Sequence, residues 1–158
     1  MPIEVAVKKV PAHREFVEKV FEVEKMIGQV PGAKFGDDCT PLNHYFGDGL
    51  YIREMIAPKG MLNTSKLHKT NHPFFILKGD VSIQTEDGVI RIKAPHFGIT
   101  KAGTKRVVFF HEETTWVTIH ANPDNGTDLK KIEDELIAKS YDELPVKEKM
   151  PCLSSQQQ

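Results

Sequence analysis

The sequence predicts a mainly β domain whose antiparallel strands close into a sandwich or barrel, with an amphipathic helix before it and a short helix after it. Three observations carry this. From Leu50 to Ala121 run five short segments rich in β-branched and aromatic residues, separated by turn signals. None of the spacers is long enough for a crossover helix, so the strands pair antiparallel. The flanking segments carry the apolar period of a helix instead.

The first element is "HREFVEKVFEVEKMI", residues 13–27. Phe16, Val20, Val23 and Ile27 recur at helical spacing, Val17 and Phe21 widen the stripe, and Glu and Lys fill the other face. Pro11 and Gly28 stand as start and stop signals. The stripe must bury against the domain's own sheet or a second subunit. Residues 28–49, rich in glycine, read as an irregular connection pinned by Phe35, Tyr45 and Phe46. The strand segments then follow as "LYIREMIA", "FFILKGDVSIQT", "GVIRIKA", "KRVVFF" and "TWVTIHA", with Asp87-Gly88 a hairpin signal. Leu129, Ile132 and Leu136 predict the closing helix, after a Pro- and Gly-containing turn. The domain order is therefore helix and connection at 1–49, barrel at 50–121, helical segment at 122–145 and a flexible tail at 146–158, all within one domain.

Whole-chain properties narrow the function classes. At 158 residues the chain fits one domain with a sizeable core. A net charge of −1 gives no global pull toward nucleic acid or an anionic membrane. No apolar run approaches the roughly 20 residues of a membrane span. The charged N-terminus does not read as a secretory signal, and Cys39 and Cys152 lack disulfide-framework or zinc-motif spacing. The expected compartment is the cytoplasm. No phosphate-cradling glycine loop, nucleophile elbow or nucleotide fingerprint is present.

The stretch "KLHKTNHPFFILKGD", residues 66–80, holds His68 and His72. Pro73 argues against a helix here, and in an extended chain an even separation places both imidazoles on one face. An inward strand face is ordinarily apolar, so two imidazoles there need partners or a metal. Thr64, Tyr51 and water are candidate partners. The spacing from Gly60 to Gly79 resembles the first motif of the cupin superfamily, in which two histidines two apart precede a glutamate and, seven residues on, a glycine. His72 takes the glutamate position, His68 the second-histidine position and Lys66 the first. "KAGTKRVV" is similar to the second motif, with Gly103 matching and Arg106 in the histidine position. The chain also looks like the small single-domain cupins encoded by tailed bacteriophages, whose site of action is the host cytoplasm.

The resemblance implies a cupin-type double-sheet jelly-roll barrel over about 50–121, with Lys66, His68, His72 and Arg106 pointing inward. In cupins these positions usually hold a divalent metal. Here two histidines fall short of the three or four donors a tight site needs, and His120 or His44 is the candidate to complete it. Lys66 and Arg106 favour an anionic small molecule instead: a sugar phosphate, nucleotide or carboxylate. The leading expectation is a pocket for such an anion, lined by Lys66, His68, His72, Arg106, Tyr51 and His120. The alternatives are a metal-dependent isomerase, lyase or oxygenase using His68, His72 and His120, and an interaction protein with a filled barrel. Arg106 could also be held by Glu54 or Glu86. Lys105 is expected on the opposite, solvated face, His96 in a turn, His111 exposed, and His13 without a partner. The helix stripe and the sheet edges predict a homodimer.

Overall fold

The computed structural model describes residues 12–145. Pro11, Cys152 and the tail at 146–158 lie outside the described residues. Helix α1 spans Ala12–Gly28. Eleven strands follow: β1 Leu42–Gly47, β2 Leu50–Ala57, β3 Leu62–Thr64, β4 Leu67–His68, β5 His72–Lys78, β6 Asp80–Thr85, β7 Gly88–Lys93, β8 His96–Thr100, β9 Val107–Phe110, β10 Thr114–Ala121 and β11 Ile137–Ala138. Helix α2, Leu129–Leu136, precedes β11. Among the described residues no helix is long and apolar enough to cross a membrane.

Every strand pairing is antiparallel. One sheet has the order β1-β2-β10-β5-β8 and the other β3-β9-β6-β7. Together they form the double-sheet jelly roll. Between them lies a core of Ala57, Phe74, Ile76, Val81, Ile83, Val108, Phe110 and Trp116. Each large apolar side chain so buried contributes on the order of 1.5–3 kcal/mol. This core fills one end of the barrel, and the other end is left for polar side chains.

The α1 stripe turns to its own domain. Val17 and Val20 are buried, and Val17 and Phe21 pack with Leu67, Ala138, Tyr141 and Leu144. The β4–β11 pair ties the segment after α2 to the barrel. Asp128 caps α2, its carboxylate accepting from the Lys130 and Lys131 amides.

Two stretches differ from the sequence expectation. The connection at 28–49 contains β1, which pairs along its whole length with β2. It is an edge strand of mixed composition, "LNHYFG", whose partner supplies the order its pattern lacks. His96 opens β8 instead of sitting in a turn. Pro95 lies just before β8, where its missing N–H leaves the strand's own ladder intact.

Gly79 joins β5 to β6 at φ +111°, and a Cβ there would collide with the Thr114 hydroxyl and lie 2.8 Å from the Thr114 Cα. Gly88 has a similar φ of +119° but open space around it. Gly79→Ala is expected to lower the unfolding free energy by about 2–3 kcal/mol, and Gly88→Ala by about 1 kcal/mol. Equal losses in urea unfolding would mean that the approach to Thr114 is not what constrains Gly79.

Candidate metal centre

Three histidines from three strands meet at the polar end of the barrel. Along β10, burial alternates strictly, so Thr114, Trp116, Thr118 and His120 all face inward. β5 shows the same parity with His72, Phe74 and Ile76. Thr118 lies opposite Phe74, and continuing that antiparallel register sets His120 beside His72. β4 is held by the Gly103 amide, which donates to the His68 carbonyl at 2.9 Å, and by β11. That placement brings the His68 ring onto the other two.

The ring centroids of His68 and His72 are 4.2 Å apart, those of His72 and His120 4.6 Å, and those of His68 and His120 5.3 Å. One ligating atom from each lies within 4.8 Å of the others. The Nδ1 atoms of His72 and His120 are buried and have no hydrogen-bond partner among the described residues. His120 Nε2 is 3.0 Å from the Thr118 hydroxyl, which orients the ring. Behind His120 stands Tyr51, whose hydroxyl is hydrogen-bonded to His44 Nδ1 at 2.8 Å. His44 therefore supports the cluster through Tyr51.

Burial is the main reason these imidazoles stay neutral. It lowers His68 to about 2, with the charges of His72 and His120 adding to the effect and hydrogen bonding to the Lys66 backbone opposing it. His72 falls to about 4 and His120 to about 3, again chiefly through burial. Arg106 depresses His72 further, and Arg53 acts on His68 and His120. At neutral pH the cluster thus offers imidazole lone pairs and not competing cations. Three neutral nitrogen donors, two of them buried and otherwise unpaired, fit the first coordination shell of a divalent transition metal.

The other expected site residues divide. Arg106 lies against the cavity: its Nη2 donates to the Thr100 hydroxyl at 2.9 Å, its guanidinium sits 5.7 Å from the Phe74 ring centre, and its buried Nε has no partner. Neither anticipated acid holds it. Glu54 accepts from the Tyr45 hydroxyl, and Glu86 is 2.8 Å from His13 Nδ1, so His13 has a partner after all. Lys66 lines the cavity, but its ammonium is bound to Glu133 of α2 at 2.7 Å. Lys105 is not solvated: it is 3 % exposed, paired with Glu24 of α1 at 2.6 Å, and donates to the Ser65 carbonyl at 2.8 Å. β9 begins only at Val107, so strand alternation does not govern residues 105 and 106 or send Lys105 outward. His111 is half-buried, with its Nε2 2.7 Å from the Ser82 hydroxyl. Arg53 was missed, although it sits two residues from Tyr51 on the same strand and so on the same face.

The three imidazoles, Tyr51, Arg53, Lys66, Lys105 and Arg106 line a cavity of about 770 Å³, which also reaches α1 and α2. No protein-family model matches the chain, and no curated protein matches it. Among solved structures, ectoine synthase from P. lautus is similar with a TM-score of 0.50 at 13 % identity, over 60 % of this chain and 73 % of that one. An uncharacterized conserved protein with a double-stranded beta-helix domain from Klebsiella pneumoniae gives 0.47 at 16 % identity, over 59 % and 85 %. A cupin-2 domain containing protein from Shewanella frigidimarina gives 0.42 at 13 %, over 51 % and 80 %. The likeness is one of fold, a cupin-type double-sheet jelly roll.

Neutral buried histidines make stability depend on pH in a defined direction. The unfolded chain takes up protons near pH 6.5, whereas the folded one does so only near 4 and below. Stability of the chelator-treated protein is therefore full above pH 6.5 and falls as pH drops toward 4, by up to about 1.4 kcal/mol per pH unit for each imidazole. Urea midpoints between pH 7.5 and 5 measure this, and replacing His72 and His120 by glutamine should flatten the curve. A wild-type midpoint constant to pH 5 would mean that the imidazoles are not buried as described.

Proposed function

We propose that this chain is a metal-dependent small-molecule cupin, in which His68, His72 and His120 hold one divalent transition ion and Arg106 receives an anionic ligand beside it. The observation that carries this reading is the pair of buried, unpartnered Nδ1 atoms within a cluster of three neutral imidazoles. With two histidines, a metal-free pocket for an anion was the better expectation; the third imidazole shifts the balance to a metal.

When bound, the ion would supply a Lewis acid with open positions for ligand or water. The remaining chemistry belongs to the chain. The Arg106 fork is suited to orienting carboxylate or phosphate oxygens. Tyr51 and His44 share a hydrogen bond at the cavity wall behind His120. A cavity of about 770 Å³ is within the range of small-molecule sites and speaks against a barrel that serves only as a filled scaffold.

The test is elemental analysis of protein expressed in rich medium, followed by titration of the stripped protein with cobalt(II). One equivalent of metal is expected, with an absorption band of nitrogen-coordinated cobalt. His72→Ala or His120→Ala should weaken cobalt binding by at least about 100-fold. Undiminished binding in the His72→Ala/His120→Ala protein, or no binding by the wild type, would reject the metal centre.

A further inference from the structure

The charge balance of the cavity, and the wall that continues beyond the imidazoles, constrain the ligand. Among the described residues two acids line this space, and each is already taken: Glu24 by Lys105 and Glu133 by Lys66. Arg106 has no carboxylate partner among the described residues, and its Nε is buried without an acceptor. A buried cation in that state is costly until an anion arrives. Its planar fork matches two oxygens of one carboxylate.

Asn63 and Thr64 line the cavity too, but one stretch of its wall is apolar: Met55 and Met61 pack on the core that holds Val108 and Trp116, and Ile27 and Phe35 also line the space. A polyhydroxylated body lying there would leave hydroxyls unpaired, each costing on the order of 1–3 kcal/mol. Met55 and Met61 are unbranched and polarisable, and they adapt to apolar shapes.

We infer that the ligand is an amphipathic acid, with a carboxylate head at Arg106 and an aryl or alkyl body against Met55, Met61 and Trp116, and not a sugar phosphate or nucleotide. This rests on the proposal that the cavity is a ligand site, and it does not require the metal.

Trp116 is the chain's one tryptophan and lines the cavity, so its emission reports occupancy. The full chain would be titrated, zinc-loaded and chelator-treated, with acids from acetate to decanoate, phenylacetate, glucose 6-phosphate and AMP. Affinity is expected to rise about 4-fold per added methylene until the wall is filled. Arg106→Gln should weaken the best acid at least 10-fold in both the zinc-loaded and the chelator-treated protein, and Arg106→Lys should recover part of it. Met61→Gln should flatten the chain-length dependence while leaving short acids unaffected. Tighter binding of glucose 6-phosphate or AMP than of any acid would overturn the inference, as would binding of no acid at all or an unchanged affinity in Arg106→Gln. Equal acid binding with and without zinc would sink the metal's part in ligand binding and leave this inference standing.

A separate observation concerns the outer face of the five-stranded sheet. Ile52, Ile119, Val117, Phe75, Phe97 and Ile99 alternate with the inward residues of four adjacent strands, and Glu54 is the one acid in their midst. Phe97 is 74 % exposed and Ile99 63 %. A water-facing antiparallel sheet is ordinarily polar on this side. With Tyr45 and Leu77 the face offers roughly 600 Å² of apolar side chain, approaching the ~800 Å² per partner of a standard interface. So little charge gives a charged partner nothing to pair with, whereas a second copy brings an identical apolar face related by a two-fold axis. The geometry points to a homodimer packed through this sheet. Sedimentation equilibrium should show a dimer at micromolar concentration, and Phe97→Glu or Val117→Glu should each yield a folded monomer that still binds cobalt. A wild-type monomer at about 100 µM would overturn it, as would a dimer indifferent to both changes. Self-association that appears only on deleting residues 1–11 would assign the face to that segment and equally overturn it.

Discussion

The register of β10 is the constraint on which the rest of this protein depends. β10 lies at the centre of the five-stranded sheet, paired to β2 on one side and β5 on the other. Its inward stripe runs from Thr114, beneath Gly79, through Trp116 in the core, to His120 in the cluster. One period-two pattern therefore seats the hydrophobic core and the candidate metal centre together. A slip of one residue would send Trp116 and His120 outward in the same step. The core thus holds the site to its geometry, since losing Trp116 from the interior would cost more than a cluster of imidazoles could compensate.

The same strand explains why the barrel is divided. Apolar side chains from both sheets fill one end, and dispersion and desolvation hold them. The other end collects His68, His72, His120, Tyr51 and Arg106, which must each be satisfied or kept neutral. The fold does this unequally. Lys66 and Lys105 receive carboxylates from α2 and α1, so both helices are tied to the barrel by ion pairs with a buried or half-buried lysine. The imidazoles are kept neutral by burial, and Arg106 is left with a hydroxyl and an aromatic face. Those unequal arrangements separate groups that hold the structure together from groups available to a ligand.

Legibility in the sequence followed how local each determinant was. The Phe16-to-Ile27 stripe, the Asp87-Gly88 hairpin and the alternation of "TWVTIHA" are properties of neighbouring residues, and each gave the right element. β1 and β8 were not legible. Edge strands are specified by the partner they join, and neither "LNHYFG" nor "HFGIT" alternates cleanly. Lys105 was misplaced for a related reason: two residues of irregular chain before β9 break the parity that would have sent it outward. Its acid, Glu24, is 81 positions away in sequence.

By itself the sequence determined the secondary-structure periods and the antiparallel class, because these follow from side-chain spacing along a single backbone; His68 and His72 do meet, but from β4 and β5, across a break in strand structure at residues 69–71. Motif spacing added Lys66 and Arg106 as inward positions, and both do line the cavity. Only the tertiary structure decided that His120 completes a cluster, that Lys66 is neutralised by Glu133 while Arg106 is not, and that Arg53 belongs with them. Each of those outcomes turns on which strand or helix stands beside another. Contact between residues far apart in the chain is fixed by the packing of whole sheets, and no local pattern encodes it.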